Sequence, residues 1–260
     1  MKLTVKVRLD KLLVDRGLAA SRERAQALIL AGKVLVDDQK LEKAGAQVVA
    51  DCAIRLLGED LKYVSRGGLK LERALDHWNI AVAGKICLDI GASTGGFTDC
   101  LLQRAAAQAI AVDTGYGQID FRLRGDARVK LLEKTNARYL KRDAVGVTVD
   151  LIVMDVSFIS ATLVLPAVIS AAFPEATQES PQEFKARQSR EIVVLVKPQF
   201  EAGREHVGKG GIVRDEAAQL ASVEKVRTTL QKLGAAHTDS IESPILGAEG
   251  NREFLLYGKF

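Results

Sequence analysis

The spacing of hydrophobic positions divides the chain into two regions. Near the N-terminus Leu9, Leu12 and Leu13 recur at helical intervals, and Gly17 suits a C-terminal cap. Ser21 is a good N-cap for a second short helix with Ala25, Leu28 and Ile29 on its inner face, stopped by Gly32. Val34, Leu35 and Val36 read as a short strand, Asp37-Asp38 as a turn, and Val48-Val49 and Ile54–Leu57 as further strand material. From Gly84 onward the pattern changes. Lys85–Ile90, Ala109–Val112, Val129–Glu133, Leu151–Met154, Ile192–Val196 and Phe254–Tyr257 are apolar runs of strand length separated by helical stretches. Such alternation predicts a parallel α/β sheet covered on both faces. The helix Leu69–Trp78 is expected to bury Leu71, Leu75 and Trp78 and to leave Lys70 on another face. Ile159–Phe173 reads as a buried helix and Asp215–Leu233 as an amphipathic covering one. Pro174 to Arg190 is a polar insertion with a surface loop as its default, and Glu201 to Gly211 is open between a lid and an RNA-contacting loop.

Composition narrows the class. With 47% hydrophobic and 27% charged residues the chain is globular rather than disordered. The three cysteines are too widely spaced for a metal knuckle, and with three scattered histidines no metal site is expected. Charges interrupt MKLTVKVRLD before a signal core forms, and no apolar run reaches membrane-spanning length, so the expectation is a cytoplasmic protein without a membrane partner. A net charge of +4 permits a nucleic-acid partner without requiring one.

The strand Lys85–Ile90 runs into Gly91-Ala92-Ser93-Thr94-Gly95-Gly96, and Phe97 opens a helix. Glycines let backbone approach a ligand, and Asp113, at the end of the next strand, can accept both hydroxyls of a ribose. Such a turn could serve NAD, FAD or S-adenosylmethionine. Asp89 would repel a pyrophosphate yet can organise the turn and, through water, a methionine ammonium, which favours S-adenosylmethionine. Asn136, after the third strand, is a candidate for the adenine side of the site. Asp155 and Lys197 both emerge from carboxyl ends of apolar strands, where open α/β sheets bind ligands.

RLDKLLVDRGLAASRERAQALILAGKVLVDDQKL resembles the small RNA-binding domain first seen in ribosomal protein S-four, with Asp37-Asp38 where that family commonly has Asn-Gly. On charge alone Arg8, Lys11, Arg22, Arg24 and Lys33 form a solvated face; the resemblance implies that they contact RNA phosphates, and Arg66 is grouped with them. Through SRGGLKL, GASTGG, VMDVSF, VLVKPQF and NRE, the whole chain resembles the TlyA (hemolysin A) family, whose catalytic domain is similar to FtsJ-type ribose 2'-O-methyltransferases. That resemblance implies a Rossmann-like methyltransferase fold with a mostly parallel seven-stranded sheet, preceded by a small α+β RNA-binding domain. The expected division is residues 1–60, a linker at 61–68, and a catalytic domain at 69–260. It further implies a Lys-Asp-Lys-Glu tetrad supplied by Lys70, Asp155, Lys197 and Glu253, with Glu249 a competitor for the last place. Lys197 would be the general base, favoured by desolvation and the adjacent sulfonium charge, with Asp155 and Lys70 orienting it and the 2'-oxygen, and Glu253 holding Lys70 or the hydroxyl. The implied reaction is methylation of ribosomal RNA, at a cytidine ribose, with RNA or ribosomal subunits as partners. A degenerate, non-catalytic RNA-binding protein, a membrane-active hemolysin and, more distantly, a nicotinamide oxidoreductase are the rivals.

Overall fold

A computed structural model of the chain describes residues 6–19, 21–57, 62–173, 190–247 and 249–260. The chain divides into two units, residues 1–60 and 61–260.

In the small unit β1 (Lys6–Arg8) leads into α1 (Leu9–Asp15), followed by α2 (Arg22–Leu30). Ser21 caps α2, its Oγ accepting from the Arg24 amide at 3.2 Å. Leu9, Leu12, Leu13, Ala25, Leu28 and Ile29 form a core with Val34 and Val36 of β2 (Val34–Val36). β2 turns through Asp37 and Asp38 into β3 (Gln39–Lys40). Both aspartates are left-handed, with φ of 48° and 61°. A two-residue hairpin turn demands this, and Asn-Gly meets it with less strain. Side-chain bonds offset part of the cost: Asp37 accepts from the Ala53 amide at 2.9 Å and Asp38 pairs with Arg55 at 3.2 Å. β4 (Gln47–Val49) joins β1, and β5 (Ile54–Leu56) joins β2.

The larger unit is built on β6 (Ile86–Ile90), β7 (Gln108–Val112), β8 (Val129–Leu132), β9 (Leu151–Met154), β10 (Glu191–Val196), β11 (His237–Glu242) and β12 (Phe254–Lys259). They form one seven-stranded sheet in the order β11-β12-β10-β9-β6-β7-β8, with only β12 running against its neighbours. The two-residue period of the strands sorts the core. Leu88, Ile90, Ile152, Met154, Val194 and Val196 meet the helices Ala161–Ala172 and Glu216–Lys232. Cys87, Val153, Val193 and Leu195 meet α3 (Gly67–His77) and α4 (Gly96–Gln103) on the opposite face. After β8 the chain returns to the middle and builds the other half of the sheet. The direction reverses between β6 and β9, which opens a crevice at their carboxyl ends.

Three local expectations change. Residues 62–66, expected to link the regions, pack within the larger unit: Tyr63 is buried, its hydroxyl donating to Glu72 at 2.9 Å, and the Val64 amide donates to Asp99 at 2.8 Å. Trp78 is only partly buried; it stacks on Tyr257 with centroids 5.2 Å apart and donates to Asp239 at 2.8 Å. Lys70, expected away from the buried face, is 8% exposed. The cysteines are free and buried, as the wide spacing suggests. Among the described residues no cluster suits a metal ion and no helix is long and apolar enough to cross a membrane. The polar insertion read at Pro174 to Arg190 lies, except for Arg190, outside the described residues.

Candidate active site

Three glycines, at positions 91, 96 and 68, shape the crevice. Gly91 follows β6 with φ of 84°, and a Cβ there would lie 2.3 Å from the Asp155 carbonyl oxygen, so the β6 and β9 loops touch only because position 91 has no side chain. Gly96 opens α4, and a Cβ on it would meet Ser65 Oγ at 2.2 Å and the Gly68 nitrogen at 3.0 Å. Gly68 in turn admits the Tyr63 ring, which a Cβ would approach to 2.3 Å. The SRGG and STGG segments therefore mate backbone to backbone, setting the start of α3 against the start of α4. Lys70, in the first turn of α3, lines one cavity with the glycine turn.

The alternation of β6 puts Asp89 on the α4 face, where it is fully buried. One carboxylate oxygen accepts from Thr98 Oγ1 at 2.6 Å; the other, Oδ1, has no partner among the described residues. Burial pushes the carboxyl up to about 7, Asp155 and Asp113 adding repulsion against the opposing Thr98 bond. Asp113 is differently placed. Its oxygens accept from the backbone amides of Ser93 at 2.8 Å and Gly115 at 2.6 Å, tying the turns after β6 and β7 together. The Ser93 bond accompanies a left-handed φ of 48° at that residue. A carboxylate has about four acceptor sites, so both oxygens retain capacity for a ribose. Asn136 caps the turn Ala137–Tyr139 by accepting from the Arg138 amide at 3.0 Å.

Above the turn stand two lysine–carboxylate pairs. Lys70 Nζ donates to Glu253 Oε2 at 2.5 Å, with both side chains nearly inaccessible. Lys197 Nζ lies 2.6 Å from Asp155 Oδ1 and donates to Ser157 Oγ at 2.7 Å. Glu249, the other candidate for the fourth place, is exposed. All four paired residues line one cavity of about 270 Å3 together with Arg66, Gly91, Ala92, Ser93, Gly96 and Phe97. A second, of about 310 Å3, is bounded by Asp113, Gln118, Asn136 and Phe158 and adjoins the first at Gly91, Ser93 and Asp155. The pair of cavities has the size of a small-molecule site. Gly95 lines neither but is left-handed, with φ of 95°, at the N-cap of α4.

The expected RNA-facing cations are distributed unevenly. Arg8 and Arg22 converge on buried Asp10, at 2.8 and 3.3 Å. Lys11 is exposed, while Arg24 and Lys33 are half-buried. Arg66 belongs to the larger unit and stands exposed at the first cavity. The loop after Glu201 is tied at its far end: the Val213 amide donates to Asn251 Oδ1 at 3.0 Å, and Asn251 Nδ2 donates to the Gly211 carbonyl at 2.9 Å. Glu201 itself is buried and caps the helix Ala161–Ala172 through the Ala161 amide at 2.6 Å. Thr98, Ser157 and Asn251 carry no motif that marks them in the sequence. Their signals were weak: a hydroxyl one helical turn into α4, the serine of VSF, and the asparagine beside the candidate glutamate.

Residues 63–260 match the model of the FtsJ-like methyltransferase family, and residues 7–51 match the S4 domain. Over 253 residues the chain is 45% identical to the 16S/23S rRNA (cytidine-2'-O)-methyltransferase TlyA of Mycobacterium tuberculosis, covering 97% of this chain and 89% of that protein. It is 39% identical over 253 residues to Hemolysin A of Brachyspira hyodysenteriae, covering 96% and 99% respectively. A solved structure from Streptococcus thermophilus superposes with a TM-score of 0.69 at 39% identity, covering 99% of this chain and 89% of that one. With a methyltransferase sheet, a glycine turn at its switch point and these relatives over nearly its whole length, the chain belongs to the TlyA/hemolysin A family of FtsJ-like methyltransferases.

Proposed function

We propose that this protein methylates a ribose 2'-hydroxyl of ribosomal RNA, at a cytidine, using S-adenosylmethionine. The observation that carries the reading is the coming together of Lys70–Glu253 and Lys197–Asp155 in one cavity at the sheet's switch point. A ribose hydroxyl is a weak nucleophile at neutral pH, and a paired set of donors and bases in a partly dry cleft answers that need.

The residues present fit the cofactor. Asp89 keeps one buried oxygen free, Gly91 lets the β6 and β9 loops close on each other beneath both cavities, and Asp113 and Asn136 border the second cavity. Asp113 and Asn136 would hold the nucleoside end, and Asp89, Gly91, Ser93 and the start of α4 the amino-acid end. When bound, S-adenosylmethionine supplies the electrophilic methyl group. As general base, Lys197 takes the proton of the 2'-hydroxyl, and Asp155 at 2.6 Å orients it. Lys70 donates to the 2'-oxygen and is itself held by Glu253. The exposed cations Lys11 and Arg66, with Arg8, Arg22, Arg24 and Lys33, attract RNA phosphates.

The test is methyl transfer from radiolabelled S-adenosylmethionine to ribosomal RNA, with the product mapped for 2'-O-methylcytidine. Lys197→Ala should lower the rate of transfer roughly 10³-fold while calorimetry shows cofactor binding intact. Full transfer by that variant would overturn the role of Lys197; absence of cofactor binding by the wild type would overturn the enzyme itself.

A further inference from the structure

Among the described residues, the aromatic side chains that stand exposed are Tyr116, Phe121, Tyr139 and Phe158. Every one lies on a segment that leaves the carboxyl end of β7, β8 or β9, so all emerge from the edge of the sheet that carries the catalytic pairs. Exposed aromatic rings are costly to leave in water, and four of them at one edge ask for a partner. Tyr116 and Tyr139 are 70% and 68% exposed and flank the second cavity: Thr114 and Gln118 beside the one, and Asn136 and Ala137 beside the other, line it.

Each tyrosine carries a cation. Lys134 Nζ sits 4.7 Å from the centre of the Tyr116 ring, and the Arg138 guanidinium 5.8 Å from that of Tyr139. Lys134, Arg138 and the neighbouring exposed Lys141 make no ion pair among the described residues. Other cations nearby are spent within the fold: Arg124 pairs with Glu133 and Arg128 with Asp126. Phe158, 92% exposed and left-handed with φ of 65°, lies against Phe200 and borders the second cavity. A bulky residue in that conformation costs energy, which marks its placement as one the fold enforces.

We infer that Tyr116–Lys134 and Tyr139–Arg138 are two base-stacking stations that hold unpaired nucleotides of the RNA substrate beside the catalytic cleft. Aromatic faces that alternate with exposed cations match single-stranded RNA, whose bases stack and whose phosphates need neutralising. Duplex RNA hides its base faces and would have no use for the rings. The inference rests on the RNA-methyltransferase reading and adds which part of the surface grips the substrate and in what form.

The test uses the full chain and anisotropy of a short, mixed-sequence, fluorescein-labelled oligoribonucleotide, single-stranded or annealed into a duplex. Tyr116→Ala/Tyr139→Ala should weaken single-strand binding roughly a hundredfold, about tenfold per lost stack. Tyr116→Phe/Tyr139→Phe should restore it, since a phenyl ring stacks without the hydroxyl. S-adenosylmethionine affinity and melting temperature should stay at wild-type values in both variants, because the tyrosines are exposed and line neither cavity. Unchanged single-strand affinity in the double alanine variant, or an equal loss for the duplex, overturns the stations. Wild-type protein that binds the strand but transfers no methyl group to ribosomal RNA overturns the enzymatic reading and leaves the stacking result to stand on its own.

Discussion

Asp10 in the small unit and Asp89 in the large one are both closed off from solvent, yet their surroundings differ. Asp10 accepts from both Nε and Nη2 of Arg8, at 3.0 and 2.8 Å, from Gln26 at 3.0 Å and from the Lys11 amide at 2.9 Å. The Arg8 bonds hold its carboxyl well below the usual carboxylate range. Asp89 has one hydroxyl and an empty oxygen, and burial drives it the other way, to about 7. A buried carboxylate with its acceptors filled anchors the structure, here by fixing two arginines of a proposed RNA-binding face. A buried carboxylate with an oxygen unfilled calls for an explanation, and the proposed function supplies one in the cofactor. The same contrast runs through the lysines and arginines: the small unit keeps Arg8 and Arg22 about half exposed, whereas the large unit encloses Lys70 and Lys197. Phosphate binding needs accessible charge, while proton transfer needs charge removed from water.

That contrast is open to measurement. The widest separation should come from kinetics. Lys197→Ala should lower the methyl-transfer rate by roughly 10³-fold, the range of a lost general base, with RNA binding retained. Arg22→Ala should instead raise the RNA concentration needed and flatten its salt dependence, with kcat little changed. Equal behaviour of the two variants would erase the distinction between the units.

Stability against pH comes next. Because the folded Asp89 carboxyl is raised from 3.8 to about 7, its neutral form contributes stability that is fully present below about 4 and lost as pH rises through about 7. Urea titrations of Asp89→Asn should therefore show a flatter profile than wild type across pH 5 to 8. The variant should be the more stable protein at the upper end, by a few kcal/mol. A wild-type profile independent of pH in that window would contradict it. Asp10 has the opposite sign: its depressed carboxyl gives stability present above the ordinary carboxylate range and lost as pH falls below it. Asp10→Asn should destabilise α1 and α2 by about 1–3 kcal/mol, read from hydrogen exchange of their amides at neutral pH. The smallest effect belongs to the strained turn. Asp38→Gly should stabilise the small unit by about 0.5–1 kcal/mol, since glycine accepts φ of 61° freely and the exposed pair with Arg55 is worth little.

Much of this was legible before any coordinates. Ser21 as a cap, the GASTGG turn and the emergence of Asp155 and Lys197 at strand ends all follow from local rules, because propensity and period act over a few residues. Helical spacing misplaces Trp78 and Lys70 for one shared reason. Position on a helix gives a face, but burial of that face depends on what lies opposite, and for Lys70 that is Glu253, 183 residues along the chain.

By itself, then, the chain determined the alternation of apolar strands and helices, the tight turn that only glycine permits at position 91, and the polar residues at strand ends. Tertiary structure alone decided which lysine meets which carboxylate, that Asp113 ties two turns together, and that Asn251 fastens the loop at Gly211 and Val213. It also decided that the exposed tyrosines share one edge of the sheet. These are contacts across long stretches of sequence, set by strand order and by glycine-to-glycine packing. No pattern within a few residues encodes where the rest of the chain will return.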